Sequence, residues 1–411
     1  MTWGSPVGSQ APGRPPTLAP VDTVAIDDVD IARLRDERLA RLQAQMRAHD
    51  LNVLLLANEP NIRYTTGATA MPPYAMSTFV RCAVVPAEGT PILFEHGNSM
   101  HRSSGIAVDV RRMHAWEFFD DPMSEANVWA REVVAAMDEL GVDRTRIGLD
   151  RMGTPGFLAL TEAGCGFVDS APVTQAAREV KTPEEIRLFR ANAPIVMEQL
   201  HTVEATIAPG AREREIFAAM AQTGLARGVE YYATNTVCSG PNTNPWRAET
   251  TDRAVEPGDL VYVDTDTVGV GGGFFCVSRT FACGSPSPAQ RETYRVAFEW
   301  LEQMKALVRP GITCGELAEI APLPPERYLP QRYECMVHGV GLEEENPSVC
   351  FPADGQSNGD RVLEPGMLLV VELYCGEVGA DHGVKLGDEV LVTDDGIEVL
   401  APYPFEDALL S

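Results

Sequence analysis

The stretch Lys181-Thr-Pro-Glu-Glu185 constrains the fold more than any other part of the chain. The Thr182 hydroxyl can accept from the backbone N–H three residues on, and Glu185 can reach back to the Thr182 N–H. Pro183 suits a first helical position, because its missing N–H is not needed there. A helix that begins this firmly near the middle of 411 residues divides the chain into two parts. The pattern predicts that it runs to about Ile207 and stops at Ala208-Pro-Gly210. With 45% apolar residues, each part has enough material for its own core.

Residues 28–180 read as an α/β domain. Ile31, Leu34, Leu39, Leu42 and Met46 fall on a helical period, with Asp28 or Asp30 as cap. Asn52–Ala57 reads as a buried strand and Asn61–Gly67 as the turn after it. Apolar runs at Phe79–Val85, Pro91–Phe94 and Arg146–Leu149 alternate with helical segments, chiefly Ser124–Leu140. Residues 1–27, rich in Pro, Gly and Ser and without a basic-then-apolar leader pattern, read as a flexible arm.

Residues 181–411 read as α+β. A second helix is predicted over Glu213–Gly228 and a third near Gln290–Val308. Strands are expected around Ala233–Cys238, Leu260–Thr267, Phe274–Phe281, Tyr333–Val337, Met367–Leu373 and Glu389–Thr393. Within the second of these, Asp264 and Asp266 alternate, so both carboxylates should face one side.

Charge and cysteine usage narrow the partners. A formal net charge of −26 disfavours nucleic acid and favours cations, whether small basic or onium substrates or metals. Nine cysteines, odd in number and without a CxxC pair, fit a reducing cytoplasm. No run of 18 apolar residues is present, so no membrane span is expected.

The order of motifs adds a resemblance. Lys181-Thr-Pro-Glu-Glu-Ile186, Ser239-Gly240, Gly258-Asp-Leu-Val-Tyr-Val-Asp264, Ser278-Arg-Thr-Phe281, His338-Gly-Val-Gly341, Leu363-Glu-Pro-Gly-Met367 and Gly383-Val-Lys-Leu-Gly-Asp388 are similar to the creatinase, prolidase and methionine aminopeptidase family. Its C-terminal domain has the pita-bread fold. Within it the chain most resembles the pita-bread dimethylsulfoniopropionate lyases, in Asn244-Pro-Trp246, Asp264-Thr-Asp266, Tyr333 five residues before His338, and the acidic run after His338. The peptidases carry one histidine in the segment that here reads Ser239–Arg247 and another soon after His-Gly-x-Gly, and both are missing, which argues against peptide hydrolysis.

The resemblance implies a site of Asp264, Asp266, His338 and Glu372, with two further carboxylates expected where Cys276 and Gly387 stand. Two dications about 3.5–4 Å apart repel by about 19 kcal/mol at an effective dielectric near 20, and bridging carboxylates normally offset that. The expectation is therefore a site without metal. The alternative is one iron or zinc ion on Asp266, Cys276, His338 and Glu372, since thiolate and imidazole suit either ion.

By the resemblance Glu344 is the general base, with Tyr333, His338 and Glu372 as the other catalytic groups. Trp246, Tyr231 and Tyr232 are expected to wall an onium cation, and Asp264, Asp266 and Lys385 to complete the binding surface, with Arg279 as a second neutralising cation. The reaction implied is elimination across a carbon–sulfur or related bond of a small cationic or zwitterionic substrate, in a homodimer. A creatinase-like C–N hydrolase and a catalytically inactive binding homologue are the other readings.

Overall fold

A computed structural model describes residue 26 and residues 28–69, 78–355 and 359–411, so the arm expected over residues 1–27 lies almost wholly outside the described residues. The first helix, α1 (Ile31–Ala48), is capped by Asp30, whose carboxylate accepts from the Arg33 N–H at 3.0 Å. Strand β1 (Val53–Leu56) leads into α2 (Glu59–Thr66). This helix corrects the turn expected over Asn61–Gly67. Pro60 sits in its first turn and Gly67 closes it at a left-handed φ of 74°, so the residues that looked like a turn are a short helix and its glycine stop.

Strands β2 (Cys82–Pro86), β3 (Ile92–Glu95) and β4 (Asp109–Arg112) precede helix α3 (Pro122–Leu140), and β5 (Ile147–Leu149), α4 (Thr154–Glu162), β6 (Phe167–Asp169) and α5 (Ala171–Arg178) complete the first half. The six strands form one mixed sheet in the order β4-β3-β2-β1-β5-β6. Phe79, Trp116 and Trp129 pack together in the core on one of its faces.

The capping box at Thr182 forms as expected and starts α6 (Pro183–Thr206). Helix α7 (Glu213–Ala226) packs beside it. Then come β7 (Tyr231–Tyr232), β8 (Thr236–Ser239), β9 (Leu260–Asp264), β10 (Thr267–Val268), β11 (Phe274–Phe275), β12 (Ser278–Ala282), α8 (Pro288–Leu307), α9 (Cys314–Ile320), β13 (Cys335–Val340), β14 (Glu344–Cys350), β15 (Leu368–Gly376), β16 (Gly383–Val392), β17 (Ile397–Val399) and α10 (Asp407–Leu410). Seven strands form a continuous sheet in the order β14-β13-β15-β16-β12-β9-β8, with β17 added to β16.

Alternation along β15 explains the layering. Leu369, Val371, Leu373 and Cys375 enter one core with α8 and α9, while Leu368 and Val370 enter another beneath α6 and α7. Glu372 follows Val370 on that second face and is the only charged residue of the strand. A charge is thus built into the floor of an otherwise apolar sheet, where the helices stop covering it.

Some expected strands differ in detail, and Phe274–Phe281 is divided into β11 and β12 at Cys276 and Val277. The run Leu260–Thr267 is broken after Asp264, and Asp266 takes a left-handed φ of 34° between β9 and β10. The strand expected to begin at Glu389 begins instead at Gly383, so Lys385, Gly387 and Glu389 share one face of it.

Candidate active site

Four strands carry the polar centre in one row. Glu372 of β15 pairs with Gly387 of β16, Gly387 with Ser278 of β12, and Ser278 with Asp264 of β9. Asp266 reaches the same place by a route that alternation does not describe: its left-handed backbone turns its carboxylate back, where the Thr234 hydroxyl donates to it. The Cys276 thiol lies 3.4 Å from Asp264 Oδ1 and 3.8 Å from Glu372 Oε2. Ligand atoms of Cys276, His338 and Glu372 lie within 4.8 Å of one another, as do those of Asp264, Asp266 and Cys276.

A cation already sits among these acids. Lys385, two residues before Gly387 and wholly buried, places Nζ 2.5 Å from Glu372 Oε2. The other Glu372 oxygen is 3.5 Å from His338 Nε2, and His338 Nδ1 lies 3.1 Å from the Gly339 carbonyl. Burial works against ionisation of Glu372, yet Lys385 and then His338 bring its carboxyl down to about 2. Burial and the neighbouring Asp264 push Asp266 the other way, up to about 8. Burial also raises Asp264, and burial with the three acids holds the Cys276 thiol well above its ordinary range. Glu372 is thus drawn toward its ionised form, while Asp264 and Asp266 are pushed toward their protonated forms.

Lys385 also fixes the aromatic residues. Its Nζ lies 3.9 Å from the Tyr333 ring centroid and 5.6 Å from that of Trp246, and these two rings are 5.2 Å apart. The loop carrying Trp246 is tied down by Asn244, whose amide donates to the Glu377 and Ala380 carbonyls at 2.8 and 2.9 Å.

Beside this centre opens a pocket of about 260 Å³ bordered by Tyr333, Cys335, His338, Glu344, Asn346 and Ser348, among others. Three consecutive glutamates meet three different surroundings there. Glu343 is held by Arg178 at 2.6 Å, and Glu345 is buried between Lys181 at 2.8 Å and Arg178 at 3.3 Å. Glu344 is exposed at the start of β14 and makes no ion pair among the described residues.

The structure therefore brings together Asp264, Asp266, Cys276, His338, Glu372 and Lys385, with Tyr333 and Trp246 against the lysine and Glu344 at the pocket. It does not assemble the expected three-residue aromatic wall. Tyr232 is half-buried against the core, where its hydroxyl accepts from the Gln199 amide at 2.7 Å and its ring meets Phe217 edge-on. Tyr231 is half-buried, with Arg63 and Glu230 the nearest charges that act on it. The cation on the Trp246 and Tyr333 rings is the protein's own. Arg279, the other neutralising cation expected, instead binds Asp388 at 2.7 Å and the Tyr403 carbonyl, away from the cluster.

Glu389 is not among the site residues expected from the sequence. Its carboxyl is fully buried with no side-chain hydrogen-bond partner among the described residues, and burial pushes it well above the carboxylate range. It lies two residues beyond Gly387 on the same face of β16.

A six-stranded α/β domain followed by a helix-backed sheet with buried acids converging on one face defines the class of creatinase- and prolidase-like pita-bread proteins. Residues 38–180 match the creatinase/prolidase N-terminal domain, and residues 187–394 match metallopeptidase family M24. The chain belongs to that family. It is 31% identical over 394 residues to the dimethylsulfoniopropionate lyase DddP of Roseovarius nubinhibens, covering 93% of this chain and 88% of the relative. It is 30% identical to the Xaa-Pro dipeptidase of Pyrococcus furiosus over 238 residues, 56% of this chain and 64% of that one. Among solved structures, the prolidase of Pyrococcus horikoshii OT3 superposes with a TM-score of 0.72 at 22% identity, over 90% of this chain and 99% of that one.

Membership raises the question of metal, and the donors answer it against a cation pair. Gly387 offers no ligand atom, and the backbone has closed around it: an added Cβ would stand 3.0 Å from Glu372 Cβ and 3.3 Å from Ser278 Oγ. Lys385 holds Glu372, which belongs to one of the two groups of candidate ligands. A dication about 4 Å from that ammonium would meet about 8 kcal/mol of repulsion at an effective dielectric near 20.

Proposed function

We propose that this protein is a lyase that breaks a carbon–sulfur bond in a small sulfonium zwitterion bearing a carboxylate, with dimethylsulfoniopropionate as the reference substrate. The observation that carries this reading is the position of Glu344, the one member of Glu343–Glu345 left free of ion pairs, on the same pocket as Tyr333 and His338. Similarity to the Roseovarius nubinhibens lyase across most of both chains supports it.

In this reaction Glu344 takes the proton from the carbon beside the substrate carboxylate. The electron pair of that C–H bond forms the carbon–carbon double bond, and the carbon–sulfur pair leaves with sulfur. Acrylate and dimethyl sulfide are the products for the reference substrate. Glu344 is exposed on the pocket, so its carboxylate is open to a bound substrate. Burial opposes protonation of His338 but Glu372 favours it, and His338 borders the pocket beside Tyr333, whose hydroxyl donates to the substrate carboxylate. The strongly acidic chain and the Glu344 carboxylate draw the sulfonium toward the pocket.

The test is headspace measurement of dimethyl sulfide from the purified protein, with Glu344→Gln beside it. Turnover should fall by a factor of about 10² to 10⁴, the range of a lost general base. Unchanged turnover in Glu344→Gln would refute the assignment. Release of proline from Xaa-Pro dipeptides, or of urea from a guanidino acid, with no sulfide from the wild type, would replace the lyase by a hydrolase.

A further inference from the structure

We propose that the Lys385 ammonium is the resident cation of this cleft and takes the place of the divalent ions that the metallopeptidase name implies, so that the site keeps its shape and binds its ligand without metal. Three observations converge on this. The first is position. Residues 385 and 387 lie on the same face of β16, so a lysine at 385 extends its chain over the space beside Gly387. The side chain is entirely buried there, and it ends on Glu372 rather than in solvent.

The second is that the acids already have protein donors. Glu372 accepts from Lys385 on one oxygen at 2.5 Å; its other oxygen lies 3.5 Å from His338 Nε2, a buried nitrogen that makes no hydrogen bond among the described residues. Asp264 accepts from the Cys276 thiol at 3.4 Å, and Asp266 accepts from the Thr234 hydroxyl. A ligand set waiting for an ion would leave these oxygens unpaired, because buried acceptors without a donor are costly.

The third is that the place of the absent carboxylate is closed. Glu372 Cβ and Ser278 Oγ stand at 3.0 and 3.3 Å from where a side chain at 387 would begin, so the two strands have packed down onto the glycine. The rings of Tyr333 and Trp246 complete the enclosure by facing the ammonium. Glycine at 387 thus offers no ligand atom, while lysine at 385, on the same strand face, supplies a covalently attached cation.

The proposal stands apart from the lyase reading, because its readouts are metal contents and spectra, not turnover. Wild-type protein expressed in medium supplemented with iron, zinc and manganese is purified, washed with chelator and analysed for metals, then titrated with cobalt(II). The expected result is a metal content far below one equivalent per chain and no cobalt–thiolate absorption band. Retention of one or more equivalents, or a saturable band that disappears in Cys276→Ser, would overturn the proposal. Lys385→Met, checked for folding by circular dichroism, should bind cobalt(II) at least about tenfold more tightly than the wild type, since the acids then lose their cation. A folded Lys385→Met with no gain would also overturn it. If that variant does not fold, the two wild-type measurements still decide the matter.

Discussion

Glu345→Gln tests how the pocket wall is held. Glu345 lies between two buried cations from the first half of the chain and the domain boundary, accepting from Lys181 Nζ at 2.8 Å and lying 3.3 Å from Arg178 Nε, with the Leu342 N–H donating at 2.9 Å. Glutamine keeps the shape and one acceptor but removes the charge. Lys181 then retains only the Arg178 and Glu179 carbonyls, while Arg178 still has Glu343. Breaking a buried pair by removing one charge costs about 3–5 kcal/mol, and these residual partners place the loss near the lower end, about 3 kcal/mol. The assay is urea unfolding at pH 7, comparing midpoints at constant slope.

The pH dependence has a definite sign. Burial opposes ionisation of Glu345, but Lys181 and Arg178 hold its carboxyl below the ordinary 4.5. A depressed carboxyl contributes stability above the unfolded-state value and loses it as pH falls through the folded-state value. The gap between parent and variant should therefore be full at neutral pH and close as pH drops below about 4.5. A difference under about 1 kcal/mol at pH 7, or one that widens on acidification, would refute the claim that this buried pair anchors the segment bearing Glu344.

Two further outcomes separate site from scaffold. Tyr232→Phe removes a hydroxyl bonded to Gln199 and should cost about 1 kcal/mol of stability with turnover unchanged; a loss of turnover without a loss of stability would return Tyr232 to the substrate wall. The Cys276 thiol, held protonated by burial and by Asp264, Glu372 and Asp266, should resist iodoacetamide at pH 7.5 in native protein and react after urea, as read by mass spectrometry. Fast native alkylation at Cys276 would show a thiolate and refute that picture.

How far the sequence could be read depended on the kind of signal each residue gave. The Thr182 capping box is local, since its donors and acceptors lie within three residues, and the helix forms where the pattern places it. Asp264 and Asp266 were correctly expected to converge but for an incomplete reason: alternation accounts for Asp264, while Asp266 depends on a left-handed backbone that no period describes. Tyr231 and Tyr232 looked alike in sequence and both end half-buried against the core beneath α6 and α7, where Gln199 of α6 donates to the Tyr232 hydroxyl. Asn61–Gly67 was misread because proline and glycine mark helix ends as well as turns. The three glutamates at 343–345 were least legible, because the partners that distinguish them, Arg178 and Lys181, come from more than 160 residues away.

Lys385 shows why a missing ligand should be read together with the residues on its strand face. Gly387 alone says only that one donor is gone, which one bound ion with fewer ligands could tolerate. Residue 385 lies on the same face, and its ammonium meets the acid that would have shared the ion. Electrostatics then distinguishes the two cases. An acid lost without replacement leaves the remaining carboxylates in need of a cation, and metal affinity falls only in part. An acid lost beside a buried lysine removes that need and adds repulsion, so both changes act in the same direction. The physical consequence extends to substrate: with Glu372 neutralised from within, the charge left for a ligand to meet in this pocket is the exposed Glu344 on one side and the His338 edge on the other, a polarity matched by a zwitterion rather than by a simple cation.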